Sequence, residues 1–376
     1  MIIGIAKESI PGERRVALVA NTAKKLAEQG VTIHVEAGAG VESGVSDAGY
    51  EAEGAIIEPD AATLFARADL IVKVQPPTVS ECNMVPEGKG ILSMLFPFQN
   101  TEQVRQLRER KVTSFAMELM PRITRAQSMD VLSSMSTISG YKATLIAAEA
   151  LPKFFPMLMT AAGTIKPARV LVLGAGVAGL QAIATARRLG ATVEAFDIRS
   201  ATKEQVESLG ARFVQQEGGE DQEAEGGYAK EQTAEQQAAQ RALLTKHIAA
   251  ADVVITTALV PGKRAPILLT EDQVKGMGSG SIVMDMAAEQ GGNCELTRPG
   301  EVIDVNGVQI HGPVNLPATT PVDASQMFAR NVCNYLSHLL NEGELNLDFE
   351  DELVSGVIVT HQGEIKHEAV RTDLEG

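Results

Sequence analysis

The sequence predicts an α/β fold: two doubly wound domains with parallel sheets, joined by long helices. Three observations lead there. From residue 1 onward, short apolar runs alternate with amphipathic ones in repeated βαβ units. A second series of the same kind begins at Arg169, after the helical spacing of Ile138, Tyr141, Leu145 and Ala148. At 376 residues the chain is long for one core and comfortable for two.

Met1–Ala6 reads as a strand, Thr22–Gln29 as a helix with Asn21 as its cap, and Val31–Glu36 as a strand. Ala55–Ile57 is a short strand, Asp60 caps a helix over Ala61–Ala68, and Leu70–Val74 and Gly90–Leu95 are strands. The charged amphipathic helix Thr101–Lys111 leads to the strand Val112–Met117. In the second series, Arg169–Leu173 is a buried strand, Val177–Ala186 a helix packed on it, and Ala191–Asp197 the strand after the helix-ending Gly190. Helices near Lys203–Leu209 and within Gln232–Ala250 alternate with strands Asp252–Thr256, Ser281–Met284 and Val308–His311. Beyond Pro321, a helix Ala324–Leu340 precedes a strand Val354–Val359. The expected domains are residues 1–133 completed by 313–376, and residues 134–312.

A net charge of −15 argues against nucleic acid and against adsorption on anionic lipid. No apolar run approaches the ~18 residues of a membrane span, so direct membrane insertion is not expected. The N-terminus enters a strand without a signal-peptide pattern, and a cytoplasmic location is expected. Cys82, Cys294 and Cys333 are odd in number and far apart, which excludes a disulfide framework and a CxxC knuckle.

Between the strand ending at Leu173 and the helix beginning at Val177 lies Gly174-x-Gly176-x-x-Gly179. In this arrangement Gly174 serves the tight turn, Gly176 the approach of a pyrophosphate and Gly179 the close packing of helix on strand, with phosphate at the helix N-terminus. Asp197 ends the second strand eighteen positions after Gly179, the place of an acceptor for a ribose 2′-hydroxyl. The domain therefore reads as Rossmann-like and NAD(H)-binding, with Gly174, Gly176, Val177, Gly179 and Asp197 as candidate contacts. Arg199 is the counter-argument for NADP(H), against its reading as a solvated loop residue.

Four other stretches concentrate reactive groups. Arg15, in a loop after the first strand, and Lys73, at the end of an apolar strand, either bind a carboxylate or snorkel at the surface. Met120–Ser133 mixes charges and amides. On one reading Asp130 caps a helix and Arg122 is solvated; on the other, this mixture suits a nicotinamide carboxamide, which donates and accepts. Met284–Gly292, with Glu289, follows another strand. None of the four carries the His that a hydroxy- or amino-acid dehydrogenase uses as acid and base. The polar stretch 216–230 is long for a connection and reads as disordered or as a lid, with Tyr228 as its large apolar group.

End to end, the chain resembles the alanine dehydrogenase/pyridine nucleotide transhydrogenase family, and within it the NAD(H)-binding components of proton-translocating transhydrogenases. The motifs that carry this are Gly12-Glu-Arg-Arg-Val-Ala-Leu18, Val72-Lys-Val74, Pro121-Arg-Ile-Thr-Arg-Ala-Gln-Ser128, Gly174-Ala-Gly-Val-Ala-Gly179, Gly227-Tyr-Ala-Lys230, Thr256-Thr-Ala-Leu-Val-Pro-Gly-Lys263 and Gln290-Gly-Gly-Asn-Cys-Glu295. The resemblance implies that Arg122, Asp130 and Ser133 hold the nicotinamide, that Gln127 reaches toward the second nucleotide, and that Asp197 binds the adenosine ribose. Tyr228 would close over bound nucleotide. It further implies a homodimer, NADP(H) on a beta subunit, and a membrane-spanning proton-channel subunit that keeps the chain on the inner face of the membrane. In alanine dehydrogenases the residues matching Arg15 and Lys73 hold pyruvate; here Phe96 stands where their catalytic His is expected, and Glu289 where their catalytic Asp is. Direct hydride transfer between nucleotides needs neither. The competing readings are a free-standing alanine dehydrogenase-like oxidoreductase and an NAD-sensing module without catalysis.

Overall fold

Short β-branched runs separated by capped helices build the first sheet. Its strands are β1 (Ile2–Ile5), β2 (Thr32–Glu36), β3 (Ile56–Glu58), β4 (Leu70–Val72), β5 (Gly90–Ser93) and β6 (Thr113–Ala116). They lie in the order β3-β2-β1-β4-β5-β6, each pair parallel. The computed structural model describes residues 1–215, 234–260 and 264–375. Contacts divide the chain into two compact units, Met1–Met135 with Pro317–Gly376, and Ser136–Leu316.

Side-chain capping sets several helix starts. Asp60 Oδ1 accepts the Thr63 N–H at 2.8 Å ahead of the helix Ala61–Arg67. Thr78 and Glu81 form a reciprocal capping box at Val79–Met84, a helix too short for periodicity to reveal. The helix Ala20–Ala27 starts from Val19 and not from the expected Asn21. There Thr22 Oγ1 accepts the Val19 N–H at 3.1 Å and donates back to Val19 O at 2.8 Å.

In the second unit a hairpin, β7 (Leu158–Thr160) and β8 (Gly163–Ile165), precedes the sheet strands β9 (Arg169–Leu173), β10 (Thr192–Phe196), β11 (Arg212–Phe213), β12 (Val253–Thr256), β13 (Ile282–Asp285), β14 (Val302–Val305) and β15 (Val308–His311). Their order is β11-β10-β9-β12-β13-β15-β14, parallel except for β14 against β15. Val170 and Val172 enter one buried cluster with Ile183, Ala186 and Ile255, while Leu171 and Leu173 enter another with Leu244, Ile248 and Val283. Covered on both faces, β9 is apolar from Val170 to Leu173 instead of alternating. Strand order reverses between β9 and β12, so the carboxyl ends of these strands form the crevice in which such sheets bind ligands.

The C-terminal segment completes the first unit. The helix Pro321–Leu339 buries Ala324, Phe328, Val332, Leu336 and Leu339, at helical spacing. A short pair, β16 (Leu340–Asn341) and β17 (Glu344–Leu345), precedes β18 (Ile358–His361) and β19 (Glu364–Ile365), which extend the first sheet beyond β6. Val354, expected in a strand, lies in the short helix Glu352–Ser355. Thr360 Oγ1 lies 2.8 Å from both Val112 O and Ser114 Oγ, pinning β18 antiparallel to β6. The α/β class with two doubly wound, mainly parallel sheets is the one the sequence predicts. Among the described residues no helix is long and apolar enough to cross a membrane.

Candidate functional site

The three glycines after β9 answer to different neighbours. Gly174 has φ +101°, and a Cβ there would lie 2.5 Å from Thr257 Oγ1. At Gly179 a Cβ would lie 1.8 Å from Gly174 O, a contact no side chain can occupy. Gly176 differs: it precedes the helix Val177–Arg188 with φ −76°, and the nearest atom to a Cβ would be Arg199 Nη2 at 3.9 Å. The protein itself thus requires glycine at 174 and 179, whereas at 176 neither the backbone conformation nor a neighbouring atom does. Val177 opens the helix with its side chain exposed. Gly140, which sequence reasoning missed, brings its helix Val131–Ala150 to within 2.1 Å, Cβ to carbonyl, of Ala178 O; a lone helical glycine gives no signal of that approach.

Asp197 ties this turn to the end of β10. Its Oδ2 accepts the Ala175 N–H at 2.7 Å and Arg199 Nη2 at 2.7 Å, and its Oδ1 accepts the Arg199 N–H and Nε, each at 2.9 Å. The Arg199 side chain is 17% exposed and that of Asp197 5%. Arg199 is therefore the partner of Asp197, not a solvated loop residue. An unobstructed Gly176 at a helix start, beside a strand-end carboxylate, is the arrangement expected of a dinucleotide-binding turn.

In the first unit, Thr124–Met129 forms a 3-10 turn that buries Ala126 and Met129, leaving Gln127 and Arg122 exposed. Two amides hold the turn from one side. Ser128 O accepts Asn331 Nδ2 at 2.8 Å and Asn334 Nδ2 at 3.0 Å, both from the helix Pro321–Leu339. Arg125 pairs with Asp351 at 2.9 Å, and His338 Nε2 sits on the other oxygen of that carboxylate at 2.7 Å. The Leu353 N–H, followed by His338 and Arg125, holds the Asp351 carboxyl below the usual range. Asp130 and Ser133 meet directly: Asp130 Oδ1 accepts the Ser133 N–H at 2.9 Å and Oδ2 its hydroxyl at 2.6 Å. Asp130 therefore does cap the helix Val131–Ala150, which leaves a ligand role open to the same pair. Asn331, Asn334, His338 and Asp351 leave no trace in the sequence, being some 200 positions from the turn they secure.

Arg15 and Lys73 are not surface cations. Arg15 is 3% exposed, its Nε 2.8 Å from Glu13 Oε1 and its Nη2 2.6 Å from Glu13 Oε2. Lys73 is fully buried and donates to Glu81 Oε1; Glu81 Oε2 meanwhile accepts the Thr78 N–H at 2.7 Å. Each buried cation thus has an internal carboxylate, without which it would be costly to bury. Glu8, accepting the Val74 N–H at 2.6 Å, is pushed up to about 7 by burial. After β5, Phe96 has φ +44°, a left-handed conformation unusual for an aromatic residue. Glu118 holds it there, accepting the Leu95 N–H at 2.9 Å and the Phe96 N–H at 2.5 Å, and burial pushes Glu118 up to about 7 as well. Glu289 is exposed in the turn after β13 and accepts the Asn315 N–H at 3.2 Å.

Tyr228, the Gly227–Lys230 motif and residues 261–263 lie outside the described residues. Among the described residues no group of three or more His, Cys, Asp or Glu could hold a metal. The family described as Alanine dehydrogenase/PNT matches the chain twice, its N-terminal domain at residues 4–139 and its C-terminal domain at residues 143–368. The chain is 47% identical to the first part of NAD(P) transhydrogenase subunit alpha from Rhodospirillum rubrum, over 98% of this chain and 99% of that one. Identity to the alanine dehydrogenase of Bacillus subtilis is 27%, over 100% and 95% of the two chains. A crystal structure of transhydrogenase from Sinorhizobium meliloti superposes with a TM-score of 0.87 at 43% identity, over 98% of this chain and 100% of that one. The chain belongs to the alanine dehydrogenase/PNT family, as a transhydrogenase alpha subunit.

Proposed function

We propose that the chain is the NAD(H)-binding half of a proton-translocating transhydrogenase, a homodimer that works with an NADP(H)-binding beta subunit and a membrane-spanning proton-channel subunit, on the inner face of the membrane. Bound NADH supplies a hydride from its C4, which passes directly to NADP⁺ on the partner. The chain's own residues bind and orient. Gly174, Gly176, Val177 and Gly179 receive the pyrophosphate at a helix start, and Asp197 receives the adenosine ribose. Arg122 and the Asp130–Ser133 pair hold the nicotinamide carboxamide, with Gln127 presented outward toward the second nucleotide. Tyr228, outside the described residues, completes the candidate contacts to the nucleotide.

The observation that carries this reading is Phe96. A dehydrogenase of small acids has to move a substrate proton, and the loop after β5 offers an aromatic ring where a titratable group is needed. The two cations that could grip a substrate carboxylate are supported as structural by their pairing with Glu13 and Glu81. Hydride transfer between nucleotides needs only proximity and dryness, to which an exposed Gln127 on an anchored turn is suited.

The test is hydride transfer from NADH to a spectrally distinct NADP⁺ analogue, with and without an NADP(H)-binding transhydrogenase component. Transfer only in the presence of the partner is expected. Alanine-dependent reduction of NAD⁺ by the chain alone would instead establish the dehydrogenase, and NADH binding without transfer in either mixture the sensor.

A further inference from the structure

The turn Thr124–Met129 is fastened from outside itself. Its buried side chains are Ala126 and Met129, while Gln127 is exposed. Ser128 is exposed too, yet its carbonyl accepts two amides, Asn331 Nδ2 at 2.8 Å and Asn334 Nδ2 at 3.0 Å. These amides stand three residues apart on the helix Pro321–Leu339, and so on one face of it. That helix is fixed in turn: Ser325 Oγ accepts the Val16 N–H at 3.0 Å and lies 2.8 Å from Ser43 Oγ. On the other side of Gln127, Arg125 reaches Asp351, whose carboxylate is already set by the Leu353 N–H at 3.1 Å and His338 Nε2 at 2.7 Å.

Stability does not account for these contacts. Water serves an exposed carbonyl nearly as well as an amide does, and an exposed ion pair adds little. Asn331 is 6% exposed, and its Oδ1 finds no partner among the described residues, which offsets part of what its one bond contributes. What the contacts do is fix direction, because a point on each side of Gln127 is tied to an ordered partner. We propose that Asn331, Asn334 and Asp351 are positioning residues for hydride transfer, acting through Gln127, which they hold in one place toward the second nucleotide. The inference rests on Gln127 serving the transfer. Water in place of the amides would keep the Ser128 carbonyl bonded but would not aim the turn.

A double-mutant cycle on the full chain tests this, with the NADP(H)-binding component and a spectrally distinct NADP⁺ analogue. Asn331→Ala/Asn334→Ala is expected to melt close to wild type and to leave NADH affinity within about threefold. Single-turnover transfer should slow roughly tenfold or more, since a misplacement of ~1 Å can cost about a hundredfold. In a Gln127→Ala background the same pair of changes should slow it no further. Wild-type transfer by the double variant would overturn the proposal, as would a loss that multiplies with that of Gln127→Ala, or an equal loss in NADH affinity. A Gln127→Ala chain that transfers normally would remove the role of Gln127 and these three residues' with it. Absence of transfer by the wild type in every mixture is the distinct result that refutes the transhydrogenase reading itself. Should the double variant lose its thermal transition, Asp351→Asn, which keeps a capping side chain, decides by the same cycle.

Discussion

Gly176→Ala separates what the fold needs from what the ligand needs. The backbone at Gly176 has φ −76° and ψ −170°, open to any L-residue, and the nearest atom to the new methyl is 3.9 Å away. The fold should therefore tolerate alanine, and the reduced freedom of the unfolded chain should add about 0.4–1 kcal/mol of stability. The nucleotide should not tolerate it, because the methyl occupies the space through which a pyrophosphate reaches the backbone N–H groups. Loss of one charge-assisted hydrogen bond costs about 1.5–3 kcal/mol, a rise in Kd of about 10- to 150-fold. Gly179→Ala is the contrasting variant. Its Cβ starts 1.8 Å from Gly174 O against an ordinary limit of 3.4 Å, so the helix must retreat by the difference, about 1.6 Å. Overpacking against backbone sits at or above the usual ~1–3 kcal/mol. Thermal melts with NADH titration read both variants. A Gly176→Ala protein that melts normally and binds NADH within twofold of wild type would refute the assignment of this turn to the pyrophosphate.

Three further outcomes are expected. Gln127→Ala should slow hydride transfer to the partner-bound acceptor far more than it weakens NADH binding, since the side chain is exposed and its loss leaves the fold intact; equal losses in single-turnover rate and in affinity would contradict the role. Phe96→His should fold, histidine being more at ease than phenylalanine at φ +44°, yet show no substantial alanine oxidation while Glu289 remains. Robust coupled turnover of alanine would show the older chemistry nearly intact. Glu118 should make stability fall with rising pH. Its folded value is raised from the ordinary carboxylate range to about 7, so its acid form is favoured by the fold. That contribution is complete below about 4.3 and is lost as pH passes through about 7, worth up to roughly 3 kcal/mol. Melting curves from pH 5 to 8 should slope less for Glu118→Gln than for wild type; parallel curves would refute the assignment, whatever the glutamine costs by accepting only one of the two N–H bonds.

Legibility in the sequence follows locality. Arg169–Leu173, Val177 and the strand end at Asp197 are readable because strand, turn and helix signals there are contiguous, and Asp60 is readable because its bond reaches only to Thr63. The two cations resist reading for the opposite reason. Whether Lys73 snorkels or is buried depends on Glu81, a capping residue on a helix of six residues that periodicity does not detect. Arg199 is easily underestimated because its two side-chain bonds to Asp197 are a matter of rotamer and not of spacing. The hairpin β7–β8 and the antiparallel β14 escape the pattern, since strands of three or four residues, mostly exposed or half-buried, carry little hydrophobic periodicity.

The discontinuity of the first unit has a consequence for synthesis. Ser114 on β6 must wait for Thr360, 246 positions later, before its hydroxyl and its edge of the sheet are covered. At roughly 5–20 residues per second that interval is about 12–50 s. Meanwhile the second unit, one continuous stretch, emerges complete and can fold on its own schedule. For that time the nascent chain displays an unpaired edge on an unfinished sheet, open to pairing with a neighbouring chain on the same messenger. Slow codons or a stalled ribosome between residues 317 and 358 should therefore harm yield more than the same delay within the second unit.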